Sequence, residues 1–505
     1  MQKELGLLES AGLAVPPILL PDENKCDYEK WAVVACDQFT SRPAYWKDAE
    51  RIIGASPSTL QLILPEIYLA DNFSERIDEI HRTMSEYLGG GVFKAPFKGF
   101  ILTERKMNES ARSEFIMVES ARSERNMDNG VWFECIIDKS IRLNKSRWGL
   151  IAAIDLEAYS FEPGAKTLIR STEETAKDRL PPRIEIRRGA ALETPHILVL
   201  ADDPGRTLIE PLAAGACSGR YEKAYDFGLM AGGGHIRGYY IGEAEEREAA
   251  SPIRRIADAI HALLQKAKAD SPDPILFAVG DGNHSLAAAK TYWDEVKATL
   301  PESSASNHPL RYALVEILNL HSDAVKFEPI HRALFNADPQ TVIGELHAFF
   351  AQNGITITYG GSSTAQAGPG AEAAIKPCAG NPASEPQAGD VSPPAHEFEI
   401  IYGGGKTAVM RIGNPKTRLP AATLQEFIDV FCEKHPNVRL DYIHGRDELA
   451  RLAAEEGCFC FAAPPVDKNG FFAYIASNGP MPRKSFSMGE AHEKRYYLES
   501  RKLAP

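Results

Sequence analysis

The chemistry of the sequence concentrates at residues 274–290, which read PILFAVGDGNHSLAAAK. An apolar run at 275–279 meets Gly280, Asp281, Gly282, Asn283, His284 and Ser285, and an Ala/Leu-rich stretch follows. The run suits a short buried strand, and the later stretch suits a helix with Asn283 or Ser285 as its N-cap. Strand, tight turn and helix together aim backbone N–H groups and the positive helix end at one point, which can hold a phosphate or carboxylate. Gly280 and Gly282 allow close approach of that backbone. Asp281 offers a metal ligand or base, and His284 a proton donor or phosphate contact. The bland alternative is a turn with a capping or packing histidine, and no P-loop pattern is present.

Other clusters could serve the same chemistry. In LIRSTEETAKDRLPPR (168–183), helical spacing would put Thr172, Thr175 and Arg179 on one face, with Arg183 just past prolines that end the helix. Hydroxyls and guanidinium groups on one side suit a phosphate; a solvated helix with a Glu173–Lys177 pair is the alternative. In LMAGGGHIRGYYI (229–241), Gly233 and Gly234 could form a nest of N–H groups beside His235 and Arg237, or only a bulged connection. In WAVVACDQFTSRP (31–43), a buried strand runs into a polar loop with Asp37, Gln38 and Thr40, and a helix with Tyr45 and Trp46 follows. Ligands of open α/β sheets bind at such strand ends; a capped strand-to-helix junction, with Asp37 or Ser41 satisfying backbone donors, is the equal alternative.

The elements that must position these residues are those of an ordinary globular protein. The 505 residues, 44% hydrophobic and 25% charged, allow two or more domains. The net charge of −13 argues against nucleic acid and membrane surfaces as partners. No run reaches the roughly 20 apolar residues of a membrane span, and the start lacks a clean signal peptide, so a cytoplasmic protein is expected. Eight scattered cysteines suit reduced thiols. Further strands are expected at 149–156, 195–200 and 312–320, and a helix at 253–268. After 320, His321, Asp323, Glu328, His331 and Arg332 could supply a base, or equally be surface residues or structural ion pairs. The hexapeptide ESARSE at 109–114 recurs at 119–124, which reads as a surface insertion over about 105–145. Residues 361–398 read as a low-complexity linker or loop. The expected division is a main α/β domain at 1–350 and a smaller C-terminal α/β part at 399–505, where 440–445 runs as a strand into a helix near Arg446. From residue 481 onward the chain is locally basic, which can mark a segment facing an anion.

VVACDQFTSRPAYW, LIRSTEETAKDRLPPR, LMAGGGHIRGYYI, FAVGDGNHSLAAAK, HPLRYALVEILNLH, FEPIHRALF, LDYIHG and MPRKSFSMG, in this order, resemble the bacterial family known as domain of unknown function 1015. The resemblance covers roughly residues 15–350 and 399–500 and leaves out the stretches near 105–145 and 361–398. The Asp-Gly-x-His element is similar to the Asp-Gly-His-His-Arg segment of the ParB/sulfiredoxin-like fold, a group that includes kinases of free L-serine. The resemblance implies an α/β protein with a mixed sheet, carrying a ParB/sulfiredoxin-like element. It also implies a small-molecule kinase that phosphorylates free L-serine, with pyrophosphate or a nucleotide as donor and Mg2+ as cofactor. Asp281 and His284 would then be catalytic, Asp281 also holding the metal. Gly280, Gly282, Asn283, Ser285, Arg170, Thr172, Arg179, Arg183, Gly233, Gly234, His235 and Arg237 would contact phosphate. Asp37, Gln38, Thr40 and Glu173 would contact substrate. This chain has Asn283 where many relatives have His and Ser285 where they have Arg, so charge stabilisation must come from elsewhere. A non-catalytic nucleotide- or phosphate-binding regulatory protein of ParB-like type is the alternative. A homodimer is among the assembly states the sequence leaves open.

Overall fold

The structure, a computed structural model, describes residues 2–40, 42–69, 72–107, 146–242, 251–360, 395–417, 419–454 and 457–504. The ESARSE duplication, and nearly all of the expected insertion and linker, lie outside the described residues. The chain forms two compact units: Met1–Lys326 with Phe472–Pro480 and Ala491–Pro505, and Phe327–Phe471 with Met481–Glu490. The fold is mixed α/β, and no described helix is long and apolar enough to cross a membrane.

The first unit is built on a ten-stranded sheet. Its strands in chain order are β1 (Leu13–Ala14), β3 (Phe100–Lys106), β4 (Ser146–Asp155), β5 (Tyr159–Ser160), β6 (Ile169–Ser171), β7 (Leu198–Ala201), β8 (Lys223–Gly228), β9 (His235–Ile241), β10 (Phe277–Asp281) and β11 (Tyr312–Asn319); β2 (Val33–Val34) lies off this sheet. The spatial order is β8-β9-β3-β4-β11-β7-β10-β6-β5, with β1 added beside β4. Only β7 with β11, β10 with β6 and β5 with β6 run parallel. Both faces are covered, so the central strands are apolar almost throughout, as a two-sided sheet requires. Leu102, Leu150, Val315 and Ile317 enter one core, and the alternating Ile101, Ile151 and Leu314 enter the other.

Four helices bear on the site: α1 (Pro43–Ile53), α2 (Leu180–Arg187), α3 (Pro252–Asp270) and α4 (Asn283–Lys297). Leu286, Ala289 and Trp293 of α4, spaced three and four apart, join the first core, while Ala287 and Ala288 pack on Leu180 and Ile184 of α2. Full burial of Leu286 alone contributes about 2 kcal/mol. Two local expectations are corrected. Thr172 to Ala176 are not helical; a short 3₁₀ turn (Lys177–Arg179) leads into α2, whose prolines stand at its first positions. Proline's fixed φ and missing N–H suit a helix start, so Pro181 and Pro182 begin α2 instead of ending an earlier helix. The strand expected over 31–36 is only Val33–Val34, because Trp31 closes a one-turn helix capped by Asp27.

The second unit is a seven-stranded sheet. Its strands are β12 (Phe327–Phe335), β13 (Thr356–Gly360), β14 (His396–Tyr402), β15 (Lys406–Gly413), β16 (Arg439–His444), β17 (Cys458–Ala462) and β18 (Phe486–Met488). Their order is β13-β15-β14-β17-β12-β16, with β18 beside β12, and every pairing is antiparallel. Helices α5 (Pro339–Gln352) and α6 (Pro420–Lys434) share its main core, and α7 (Arg446–Ala453) packs with Ala333, Ile443 and Cys460.

Candidate functional site

The turn from β10 into α4 centres on Asp281. Oδ1 accepts the Gly282 N–H at 3.0 Å, and Oδ2 lies 3.1 Å from Lys494 Nζ. Gly282 has φ +79°, and a Cβ there would stand 3.0 Å from the Ile197 side chain and 3.1 Å from its Cα; only glycine passes through this position without strain. Gly282 itself occupies the cap position with no side-chain bond, which corrects the expected N-cap at Asn283 or Ser285. The amide of Asn283 is used laterally. Its Oδ1 accepts from Ser171 Oγ at 2.6 Å and from the Thr172 N–H at 3.3 Å, tying the end of β6 to the start of α4. Thr172 Oγ1 donates to Val279 O. His284 Nε2 accepts the Ala176 N–H at 3.2 Å, so a neutral ring carries its proton on Nδ1.

Lys494 comes from the segment before β19 (Tyr496–Tyr497), which pairs with β2. This pairing brings the loop after β2 close to the turn. Tyr497 Oη accepts the Cys36 N–H and lies 2.8 Å from His196 Nδ1, the residue preceding Ile197. Asp37, bonded by Gln38 Nε2, is near enough for its charge to help push the Tyr497 hydroxyl well up, after burial and Cys36. Arg183 pairs with Glu66, whose N–H bonds Cys36 O, so Arg183 belongs beside the same loop. Arg179 and Thr40 are exposed, while Glu173 and Ser285 are half-buried.

Other expected residues stand elsewhere. Arg170 donates to Thr167 O and Asp273 O, at the opposite ends of β6 and β10, and lines a cavity of about 240 Å³ with Lys166 and Asp273. Burial lowers the pKa of its guanidinium. Arg237 and His235 lie on β9, five strands from β10, or roughly 24 Å at ordinary strand spacing. Arg237 is held by Asp226 at 3.0 Å and Glu104 at 3.2 Å, and His235 by Asp226 at 3.2 Å; burial lowers the His235 pKa. Gly233 and Gly234 form the β8–β9 turn, where Leu229 N–H bonds Gly234 O and a Cβ on Gly233 would strike Tyr496. That turn makes room for an aromatic side chain.

A buried charge network behind Lys494 carried no motif in the sequence. Glu316, in the middle of β11, receives Thr103 Oγ1 at 2.8 Å and Arg495 Nη1 at 2.6 Å. Arg495 also pairs with Glu499, which accepts from Tyr225 Oη. Burial opposes the charge on both Glu316 and Arg495. Arg495 and Arg147 outweigh it to lower the Glu316 pKa, and Glu499 and Glu316 outweigh it to raise that of Arg495. Arg105 and Arg147 grip the backbone of 492–494, and burial brings Arg105 down to about 10. The signals available were a glutamate inside the apolar run YALVEILNL and charged ends on ILTERK and RWGLIAAI. Among the described residues no group of three or more His, Cys, Asp or Glu is placed to hold a metal. At this turn the carboxylate is Asp281, whose Oδ1 and Oδ2 are engaged by the Gly282 N–H and Lys494 Nζ.

Fold and site define a mixed α/β protein with a strand–turn–helix centred on an ion-paired aspartate. The chain belongs to the family described as protein of unknown function (DUF1015), whose model matches residues 20–129 and 135–431. That match runs through 361–398 and much of 105–145, two stretches outside the motif resemblance, and so extends the family across them. No curated protein matches. Among solved structures, a free serine kinase in complex with AMP is similar at 12% identity over 70% of this chain and 92% of that one, with TM-score 0.34. A conserved hypothetical protein from Pyrococcus furiosus is 12% identical over 70% and 95%, with TM-score 0.31. SbnI with a C-terminal truncation from Staphylococcus aureus is 8% identical over 70% and 82%, with TM-score 0.30. At these scores the neighbours transfer no residue role and no activity.

Proposed function

We propose that the protein is a small-molecule kinase that transfers phosphate to the hydroxyl of free L-serine, with pyrophosphate or a nucleotide as donor and Mg2+ as cofactor. The observation that carries this proposal is the Asp281 carboxylate, fixed at a strand–helix turn by the Gly282 N–H and Lys494 Nζ. Phosphoryl transfer asks a protein mainly for positioning and for charge at the phosphate oxygens. Here Asp281 accepts the proton of the attacking hydroxyl, or gives one ligand to an ion carried on the donor. The start of α4 and Lys494 supply positive potential, and His284 contacts phosphate through Nδ1–H. Asn283 and Thr172 act through position, holding the end of β6 against the turn. Asp37 and Gln38 stand on the loop across Tyr497 and are the substrate contacts in this scheme.

The test is phosphoserine formation from L-serine with magnesium, run in parallel with pyrophosphate, ADP and ATP. Product is expected with one donor and none with Asp281→Asn, whose fold should be intact by circular dichroism. Near-normal turnover by Asp281→Asn removes that residue from the chemistry. A ligand-dependent rise in melting temperature without product from any donor favours the non-catalytic binding protein instead.

A further inference from the structure

Arg105 and Arg147 are cross-strand partners on β3 and β4, so their Cβ atoms stand about 5 Å apart. They are 2% and 4% exposed. All the hydrogen bonds they make go to backbone carbonyls: His492 O and Lys494 O accept from Arg105, and Glu493 O accepts from Arg147. Among the described residues no carboxylate lies within 4 Å of either guanidinium, and Glu316 and Glu493 act on Arg105 only from farther away. The Nε–H of both is buried without an acceptor.

The surroundings do not balance them. Of the neighbouring carboxylates, Glu316 and Glu499 are taken by Arg495, and Asp281 by Lys494. Among the described residues, Glu493 is left to act on Arg105 from farther away, and Arg147 shares Glu316 with Arg495. Carbonyl dipoles solvate a guanidinium but do not neutralise it, and an uncompensated buried charge costs several kcal/mol. Two adjacent planar forks with unused N–H edges suit a tetrahedral oxyanion, since guanidinium donors match phosphate geometry. Lys494 links this pair to the turn: its carbonyl bonds Arg105 and its ammonium bonds Asp281.

We infer that Arg105 and Arg147 form the receptor for a phosphate-type oxyanion of the donor, joined through Lys494 to the Asp281 turn. The role of that anion rests on the kinase proposed above; the unmet need for a counter-charge does not. A purely structural role, clamping the 492–494 backbone, makes a different prediction and can be separated from it.

The experiment measures thermal melting of the full chain in chloride buffer, with and without inorganic pyrophosphate, ADP or sulfate, for wild type, Arg147→Gln and Arg147→Lys. Without added anion, Arg147→Gln should melt no lower than wild type, because it removes an uncompensated buried charge. Pyrophosphate at 100 times its Kd should raise the wild-type Tm by about 4 °C, and calorimetry should show at least a tenfold weaker Kd for Arg147→Gln. A response to ADP with none to pyrophosphate supports the receptor with a nucleotide as its ligand. A lower Tm for Arg147→Gln in every buffer with an unchanged anion response overturns it in favour of the clamp. So does a wild type that responds to none of the three anions. Should Arg147→Gln fail to fold, Arg147→Lys decides: affinity weakened several-fold supports the receptor, and unchanged affinity overturns it. Anion binding that depends on Arg147 without phosphoserine formation sinks the kinase alone. Phosphoserine formation at the wild-type rate by Arg147→Gln sinks the receptor alone.

Discussion

Asn283→Ala isolates what the side chain behind the turn contributes. Asn283 is 8% exposed and Thr172 fully buried. The substitution removes the Oδ1 that accepts from Ser171 Oγ and from the Thr172 N–H. Ser171 Oγ keeps a second acceptor in Glu173 O, so its loss is small, but the Thr172 N–H is left buried and unsatisfied, at about 1–3 kcal/mol. The 3.4 Å contact from Asn283 Nδ2 to Thr172 Oγ1 adds little, and alanine recovers about 0.5 kcal/mol of helix propensity. The net loss is about 2 kcal/mol, or roughly 2–3 °C in Tm for a protein of this size. Asn283→Asp, which restores the acceptor, should recover part of it. Urea unfolding gives the energy, and hydrogen exchange at the Thr172 amide gives the location. A loss below about 0.5 kcal/mol with Thr172 exchange unchanged would refute the claim that Asn283 ties β6 to α4.

Three further outcomes follow from the geometry. His331 accepts the Ala463 N–H through Nδ1, and burial, with Arg446 and Arg332 nearby, lowers its pKa to about 4. The native state therefore favours the neutral ring, so this stability is complete above an unfolded pKa near 6.5 and falls as pH drops towards 4, by about 3 kcal/mol in all. The urea midpoint of the second unit should track this window, and His331→Gln should flatten it; an equally steep profile in the variant would rule His331 out. Gly282→Ala should cost about 2 kcal/mol, roughly 1 more than Gly54→Ala, which shares a positive φ but meets nothing within 4 Å; equal costs in urea would mean that Ile197 gives way freely. Burial raises the Cys26 thiol to about 11, so at pH 8 iodoacetamide should alkylate the exposed Cys217 long before Cys26, as peptide mapping would show, and equal rates would contradict the burial of Cys26.

Residues 274–290 were legible because apolar run, glycine turn and helical spacing all act within a few residues. Strand Tyr312–Asn319 and helix Pro252–Asp270 were legible for the same local reason. The stretch 172–183 misled because proline marks both the beginning and the end of helices, and only packing of Leu180 and Ile184 on α4 shows which applies. Asn283 is a common N-cap residue, but a competing pair of donors on β6 took its amide. The partners Lys494 and Arg495 could not be read at all. Their local signal is a basic stretch near aromatic residues, and what makes them neighbours of Asp281 and Glu316 is a pairing across most of the chain.

Glu316 and Arg495 are 179 residues apart in sequence, and the whole of Phe327–Phe471 is synthesised between them. At roughly 5–20 residues per second of translation, that delay is about 10–35 s. During it, a carboxylate destined for the centre of the large sheet has Arg147 nearby but lacks Arg495, its ion-pair partner, so β11 settles into its final dry environment only when the C-terminal segment arrives. The first unit is therefore a structure whose interior is locked from its far end, and its nascent form must survive partly open while an intervening body is made. Ribosome stalling between residues 330 and 490 would leave β4 and β11 as a sheet whose central acid has not yet met its ion-pair partner.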